Sequence, residues 1–274
     1  MAIATHGDVE LYYETFGDPA DPTLVLVNGL GSQCISYAVD WCEKFVAKGF
    51  QVVRMDNRDV GVSSKLPDVA YTPSDMAGDV VAVLDALGVD RAHVMGLSMG
   101  GMIVQQLAID HPDRVRTLTS VMSRTGEPGY GESSEEALAF LMAPPATSRE
   151  AYIEHQLGGL RVFGSRPDWI DEDAIRARAG AAYDRCFYPE GVGRQMLAVV
   201  GGGSRDEGLR RLDVPTLVMH GDRDTLIAPS GGEHTAEVIP GARFHLIEGM
   251  GHDYPVAVWD EWVGTWADFV DAHR

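Results

Sequence analysis

Ala92-His93-Val94-Met95-Gly96-Leu97-Ser98-Met99-Gly100-Gly101-Met102-Ile103 is the stretch on which the reading of this chain turns. Ala92 to Met95 reads as a buried strand, and a helix is expected from about Met99 to Ile109, with Met102, Ile103 and Leu107 apolar. Between them stands Gly-x-Ser-x-Gly, with Ser98 at its centre. A turn this sharp puts its serine in a strained backbone conformation with the hydroxyl in the open. Side chains two before and two after would collide, which explains Gly96 and Gly100. The helix start behind Ser98 aims backbone N–H groups at developing negative charge. An inert Gly/Ser turn is the plain alternative, and the flanking strand and helix argue against it.

Outward from this turn the same rhythm repeats. Leu24 to Val27, Gln51 to Met55, Leu118 to Met122, Thr216 to Met219 and Phe244 to Ile247 are further short apolar runs. Helical stretches separate them, roughly Ser36 to Lys48 and a longer one that ends at Gly88. Thr72 caps that second helix, Pro73 suits its first position, and Asp75 sits in its first turn. Apolar runs alternating with amphipathic helices predict a mostly parallel sheet with helices on both faces. Before them, Val9, Leu11 and Tyr13 alternate with Glu10, Tyr12 and Glu14, as in a half-solvated strand. Ligands in such α/β architectures sit beyond the carboxyl ends of the strands.

Residues 124–212 break the rhythm. Helical patterns run near Ser134 to Met142, Arg149 to Leu157, Asp171 to Arg185 and Gly193 to Val200, with no clear strand. A helical cap over the site is expected there, inserted into a core made of residues 1–123 and 213–274.

The 274 residues carry 22 Lys and Arg against 41 Asp and Glu, a net charge of −19. That balance argues against a phosphate-backbone binder and against an anionic membrane surface as the main partner. No apolar run approaches a membrane span. The first residues lack a signal-peptide pattern, and Cys34, Cys42 and Cys186 form no C-x-x-C pair. A cytoplasmic protein without metal or cofactor is the expectation; the oligomeric state is not readable.

A serine hydroxyl is a weak nucleophile and needs a positioned base. His252 stands in Gly249-Met250-Gly251-His252-Asp253, just after the last apolar run. His93 and His245 fall inside strands, and His220 suits a structural hydrogen bond. The base needs a carboxylate to fix its orientation. After Leu217-Val218-Met219-His220-Gly221, both Asp222 and Asp224 are available, and Asp224 is better placed to reach His252. The chain order Ser98, Asp224, His252 suits this architecture. Oxyanion donors are expected from the N–H groups of Met99 and of Leu30 in Asn28-Gly29-Leu30-Gly31. Met99, Met122 and Met250 lie nearest the expected pocket, and Met122 and Met250 are its candidate substrate contacts. Asp56-Asn57-Arg58-Asp59-Val60-Gly61-Val62-Ser63 also follows a strand; local Asp–Arg pairing and turn hydrogen bonds are the expectation there.

With Asp113-Arg114-Val115, Val214-Pro215-Thr216-Leu217 and Gly251-His252-Asp253-Tyr254-Pro255 added, the chain resembles the α/β-hydrolase superfamily over essentially its whole length. It looks most like small bacterial carboxylesterases and the aclacinomycin methylesterase group. The resemblance implies an α/β-hydrolase fold, a triad of Ser98, Asp224 and His252, an oxyanion hole of the Leu30 and Met99 amides, and a helical cap. Many relatives have His-Gly where Asn28-Gly29 stands, and Arg-Gly where Arg58-Asp59 stands. The function expected is a serine hydrolase of small-molecule carboxylic esters. A lactonase, a carbon–carbon bond hydrolase or a cofactor-free perhydrolase could use the same triad, and a non-catalytic binder could keep the pocket.

Overall fold

The computed structural model describes residues 2–273. Eight strands form one sheet: β1 (Ala2–His6), β2 (Val9–Phe16), β3 (Thr23–Val27), β4 (Gln51–Met55), β5 (Ala92–Leu97), β6 (Val115–Val121), β7 (Thr216–Gly221) and β8 (Arg243–Ile247), in spatial order β1-β2-β4-β3-β5-β6-β7-β8. From β4 to β8 every pairing is parallel, and β1 and β2 add an antiparallel edge.

The apolar runs are apolar throughout because the sheet is covered twice. Val25, Val27, Val94 and Leu118 join a core with α2 (Pro73–Leu87) and α3 (Met99–Asp110). Leu24, Leu26, Met95 and Leu97 point the other way, into a core with α1 (Val39–Val46) and α10 (Trp259–Asp271). The second core is aromatic, with Trp41, Trp262 and Trp266 fully buried. Thr72 caps α2, Pro73 opens it and Gly88 ends it, as the sequence predicts; the structure adds that Thr72 and Asp75 close a reciprocal capping box and that Gly88 is left-handed.

Several local expectations need correcting. The N-terminal strand is half of a hairpin, because β1 precedes it. Tyr12, expected on its wet face, is buried: Arg185 lies over its ring at 5.0 Å. The helix expected from Ser36 begins only at Val39, after a single 3₁₀ turn at Cys34–Ser36. α9 (Ser230–Val238) and α10 fall outside the sequence reading.

Between β6 and β7 lie α4 (Glu135–Leu141), α5 (Arg149–Phe163), α6 (Glu172–Arg185), α7 (Pro189–Gly201) and the short α8 (Asp206–Leu209), with no strand among them. The side chains of Ser134, Ser148 and Asp171 cap α4, α5 and α6. No helix among the described residues is long and apolar enough to cross a membrane.

Candidate active site

Ser98 sits between the last residue of β5 and the first of α3, with φ +56° and ψ −119°. A side chain in that region costs on the order of 1 to 3 kcal/mol and persists only where its surroundings impose it. Here the Ser98 N–H donates to the Val121 carbonyl at 2.9 Å, and its own carbonyl accepts the Ser123 hydroxyl at 2.8 Å. A Cβ on Gly96 would lie 2.0 Å from the Gly100 carbonyl oxygen, the collision the sequence anticipates. Gly100 has a further reason: a Cβ there would lie 2.0 Å from the carbonyl oxygen of Val27 on β3. The turn is therefore wedged between its own helix and the neighbouring strand.

Asp224 follows β7, and His252 lies in the loop between β8 and α10. The Nδ1 of His252 is 2.7 Å from Oδ2 of Asp224. Oδ1 of Asp224 accepts the N–H groups of Leu226 and Ile227, each at 2.9 Å. Burial pushes the Asp224 carboxyl upward, but His252 and the hydrogen bonds from His220 and His252 outweigh it and hold the group at about 2. Asp224 is thus an anion aimed at one ring nitrogen of His252, which leaves the other nitrogen free to accept a proton. His220 plays the structural part expected of it, with Nε2 2.8 Å from the Ile227 carbonyl. Asp222 stays in its turn and accepts the Gly249 N–H at 2.7 Å.

The His252 loop is gripped by the end of α5. The His252 N–H donates to the Phe163 carbonyl at 2.7 Å, and the Gly251 N–H to the Ser165 hydroxyl at 2.9 Å. Ser165 in turn donates its backbone N–H to Asp253 at 2.8 Å and its hydroxyl at 2.5 Å. Burial raises the Asp253 carboxyl despite those hydrogen bonds. Ser165 and Asp253 were invisible as partners in the sequence because 88 residues separate them.

Ser98 and His252 line one cavity of about 600 Å³, and the hydrogen bonds of the His252 ring end at Asp224 without including Ser98. Leu30 lines the same cavity from the loop after β3. Met99 opens α3, so its N–H has no intrahelical acceptor. Apolar and aromatic side chains of residues 135–209 form much of the wall, including Phe140, Tyr152 and Phe163 on helices and Phe187 in the loop between α6 and α7. Met122 lines the cavity as expected. Met250 does not: it is fully buried in the aromatic core, and Met99 is buried in the opposite one. Nearness in sequence to His252 and Ser98 misleads here, because both side chains point away from the loop surface.

The loop after β4 also departs from expectation. Ser63 satisfies turn backbone, accepting from Tyr12 N–H and donating to the Asp56 carbonyl. The charged pairs, however, are not local. Arg58 pairs with Asp79 of α2 at 2.6 Å, Asp56 with Arg185 of α6 at 2.7 Å, and Asp59 with Arg194 of α7 at 2.9 Å. The side chains of Asp56 and Asp59 are fully buried, so their arginines hold the helical segment onto the sheet. Asn28 is also structural: its amide donates to the Met55 carbonyl, and Asn57 donates to the Asn28 carbonyl, each at 3.0 Å.

Residues 22–166 match the family model for the α/β hydrolase fold. The chain is 33% identical to rhodomycin D methylesterase of Streptomyces peucetius, with 93% of each chain covered. Among solved structures, the enol-lactonase of Burkholderia xenovorans LB400 superposes with a TM-score of 0.81 at 25% identity, covering 98% of this chain and 100% of the other. An N-acyl homoserine lactone degrading enzyme superposes with a TM-score of 0.79 at 29% identity, covering 98% and 100%. With the eight-stranded sheet, the serine turn after β5 and these likenesses together, the chain belongs to the α/β hydrolase fold family.

Proposed function

We propose that the protein hydrolyses carboxylic esters through an acyl-enzyme, with Ser98 as nucleophile, His252 as general base and acid, and Asp224 as the group that orients His252. The observation that carries this reading is the 2.7 Å hydrogen bond between His252 and a depressed-pKa Asp224, at a cavity that Ser98 also lines.

In this reading Ser98 Oγ attacks the ester carbonyl carbon and its proton passes to Nε2 of His252. The carbonyl electron pair moves onto oxygen, where the Leu30 and Met99 N–H groups receive it. As the tetrahedral adduct collapses, the carbon–oxygen bond to the alcohol breaks, and His252 returns the proton to the leaving oxygen. Water then attacks the acyl carbon with His252 again as base; the bond from that carbon to Ser98 Oγ breaks, His252 returns the proton to Oγ, and the acid leaves.

Residues 124–212 act as a cap that supplies the aromatic wall and restricts water. A cavity near 600 Å³ with that lining suits a medium-sized or bulky apolar ester better than a short-chain one. The likeness to a methylesterase supports ester chemistry. The likeness to an enol-lactonase favours a second reading, a lactone as the ester that is opened.

A fluorophosphonate probe should add to the peptide spanning Ser98, and Ser98→Ala should lose about 10³-fold or more in turnover. Absence of the adduct, or a Ser98→Ala variant with most of its activity, would overturn the reading. An acyl-chain series of nitrophenyl esters run beside a lactone separates the two substrate classes.

A further inference from the structure

Gln195 lies on α7 and is fully buried. Its Oε1 accepts the N–H of Gly31 at 2.9 Å, and its Nε2 donates to the Arg58 carbonyl at 2.8 Å. Gly31 and Arg58 belong to loops that follow different strands, β3 and β4. One side chain from the helical segment therefore ties both loops together at the carboxyl edge of the sheet.

Its neighbours fix its approach. A Cβ on Gly191 would lie 2.3 Å from the Asp59 carbonyl oxygen, so α7 rests directly on that backbone. Arg194 forks onto both oxygens of Asp59 at 2.9 Å. Val192 packs against Gly31, at 3.1 Å from where a Cβ there would be. Gln195 is delivered to Gly31 by the contacts of Gly191, Val192 and Arg194, in the turn of α7 just before it.

The segment it holds is a four-residue turn. The Ser32 N–H donates to the Gly29 carbonyl at 3.2 Å, and the third residue, Gly31, has φ +66°. Positive φ at that position is the type II pattern; type I differs mainly by a flip of the central peptide, here the one joining Leu30 to Gly31. Peptide planarity makes the Gly31 N–H the handle on that flip. An acceptor placed on this N–H selects one form of the turn, and glycine alone does not, since it accepts either sign of φ.

We infer that Gln195 is a positioning residue that tethers the 29–32 turn at the cavity through the peptide next to the one carrying the Leu30 N–H, so that the oxyanion site is complete only with α7 docked. The inference rests on the reading in which the Leu30 amide receives the oxyanion. It assigns to the helical segment a part in the chemical step beyond lining the pocket.

The test uses the full-length protein and an alkyl trifluoromethyl ketone, whose hemiketal with Ser98 needs the oxyanion site. Gln195→Met keeps the length of the side chain and removes both hydrogen bonds. It should lower kcat and ketone affinity together, on the order of 10- to 100-fold, with KM within about twofold. Wild-type kcat and ketone affinity in Gln195→Met would overturn the inference. So would a KM that rises by as much as kcat falls, since that marks a purely structural glutamine. Should Gln195→Met not fold, Gln195→Asn, too short to span both loops, decides: reduced kcat at unchanged KM supports the role, and wild-type kcat removes it. Failure of the hydrolase reading is visible separately, in a wild-type protein with no turnover and no adduct on Ser98.

Discussion

Asp224 spends one carboxylate oxygen on the amides of Leu226 and Ile227 and gives the other to Nδ1 of His252 at 2.7 Å. The carboxylate cannot rotate without losing two backbone hydrogen bonds, so its direction toward the ring is fixed before substrate arrives. Asp224→Asn preserves shape but offers an amide that favours the wrong tautomer of His252. Turnover is expected to fall roughly 10³- to 10⁴-fold with the fold intact. Steady-state kinetics with circular dichroism decide the matter; a loss smaller than tenfold would assign the orienting role elsewhere.

The same carboxylate makes stability depend on acid. Its folded-state pKa, about 2, lies below the ordinary value of 3.8. A depressed carboxyl contributes stability that is present above the unfolded pKa and lost as pH falls through the folded one. The gap corresponds to about 2 kcal/mol, present at neutral pH and shrinking between about pH 4 and pH 2. Urea midpoints of the wild type and Asp224→Asn should therefore differ at pH 7 and converge toward pH 2. A difference that stays constant would show that the ionised form of Asp224 is not the stabilising one.

Much of this was written locally in the chain. Thr72, Pro73 and Asp75 define the start of α2, and Gly96 and Gly100 announce the serine turn, because caps and sharp turns depend on residues a few positions apart. What escaped the sequence depends on distant partners. Asp56 and Asp59 find Arg185 and Arg194 across 129 and 135 residues, and Gln195 finds Gly31 across 164. No spacing rule encodes those meetings; only the docking of the 135–209 helices creates them. Met250 failed for the opposite reason: its neighbour in sequence is at the site, yet its side chain belongs to the core.

The Asp59–Arg194 pair gives that docking a measurable energy. The Asp59 side chain is fully buried, and burial would raise its carboxyl; Arg194, the Leu66 amide and the Tyr71 hydroxyl more than offset this and lower it. Arg194→Met leaves the anion without its cation and is expected to destabilise the protein by roughly 3 kcal/mol. Asp59→Asn removes the charge instead, and asparagine tolerates the φ of +70° found there. It should therefore cost clearly less than Arg194→Met in urea titrations. Equal losses would mean that the pair contributes packing alone. Limited proteolysis should cut Arg194→Met first within residues 124–212, where the lost ion pair loosens the contact.

Gly251 offers a way to separate α5 from the His252 loop without touching a reacting group. A Cβ there would lie 2.2 Å from the carbonyl carbon of Gly164 and 2.3 Å from its oxygen, backbone atoms that cannot swing aside. Gly251→Ala must push the loops apart and stretch the His252 N–H bond to the Phe163 carbonyl, now 2.7 Å. Displacing a catalytic group by about 1 Å costs on the order of 10²-fold, so kcat and the rate of fluorophosphonate labelling should both fall by about that factor. Gly264→Ala in α10 is the control: nothing lies within 4 Å of its Cβ, and the helix interior favours alanine over glycine by roughly 0.5 to 1 kcal/mol. It should keep full activity and melt no lower than the wild type. If Gly251→Ala labels as fast as Gly264→Ala, the grip of α5 on the His252 loop has no bearing on the chemistry.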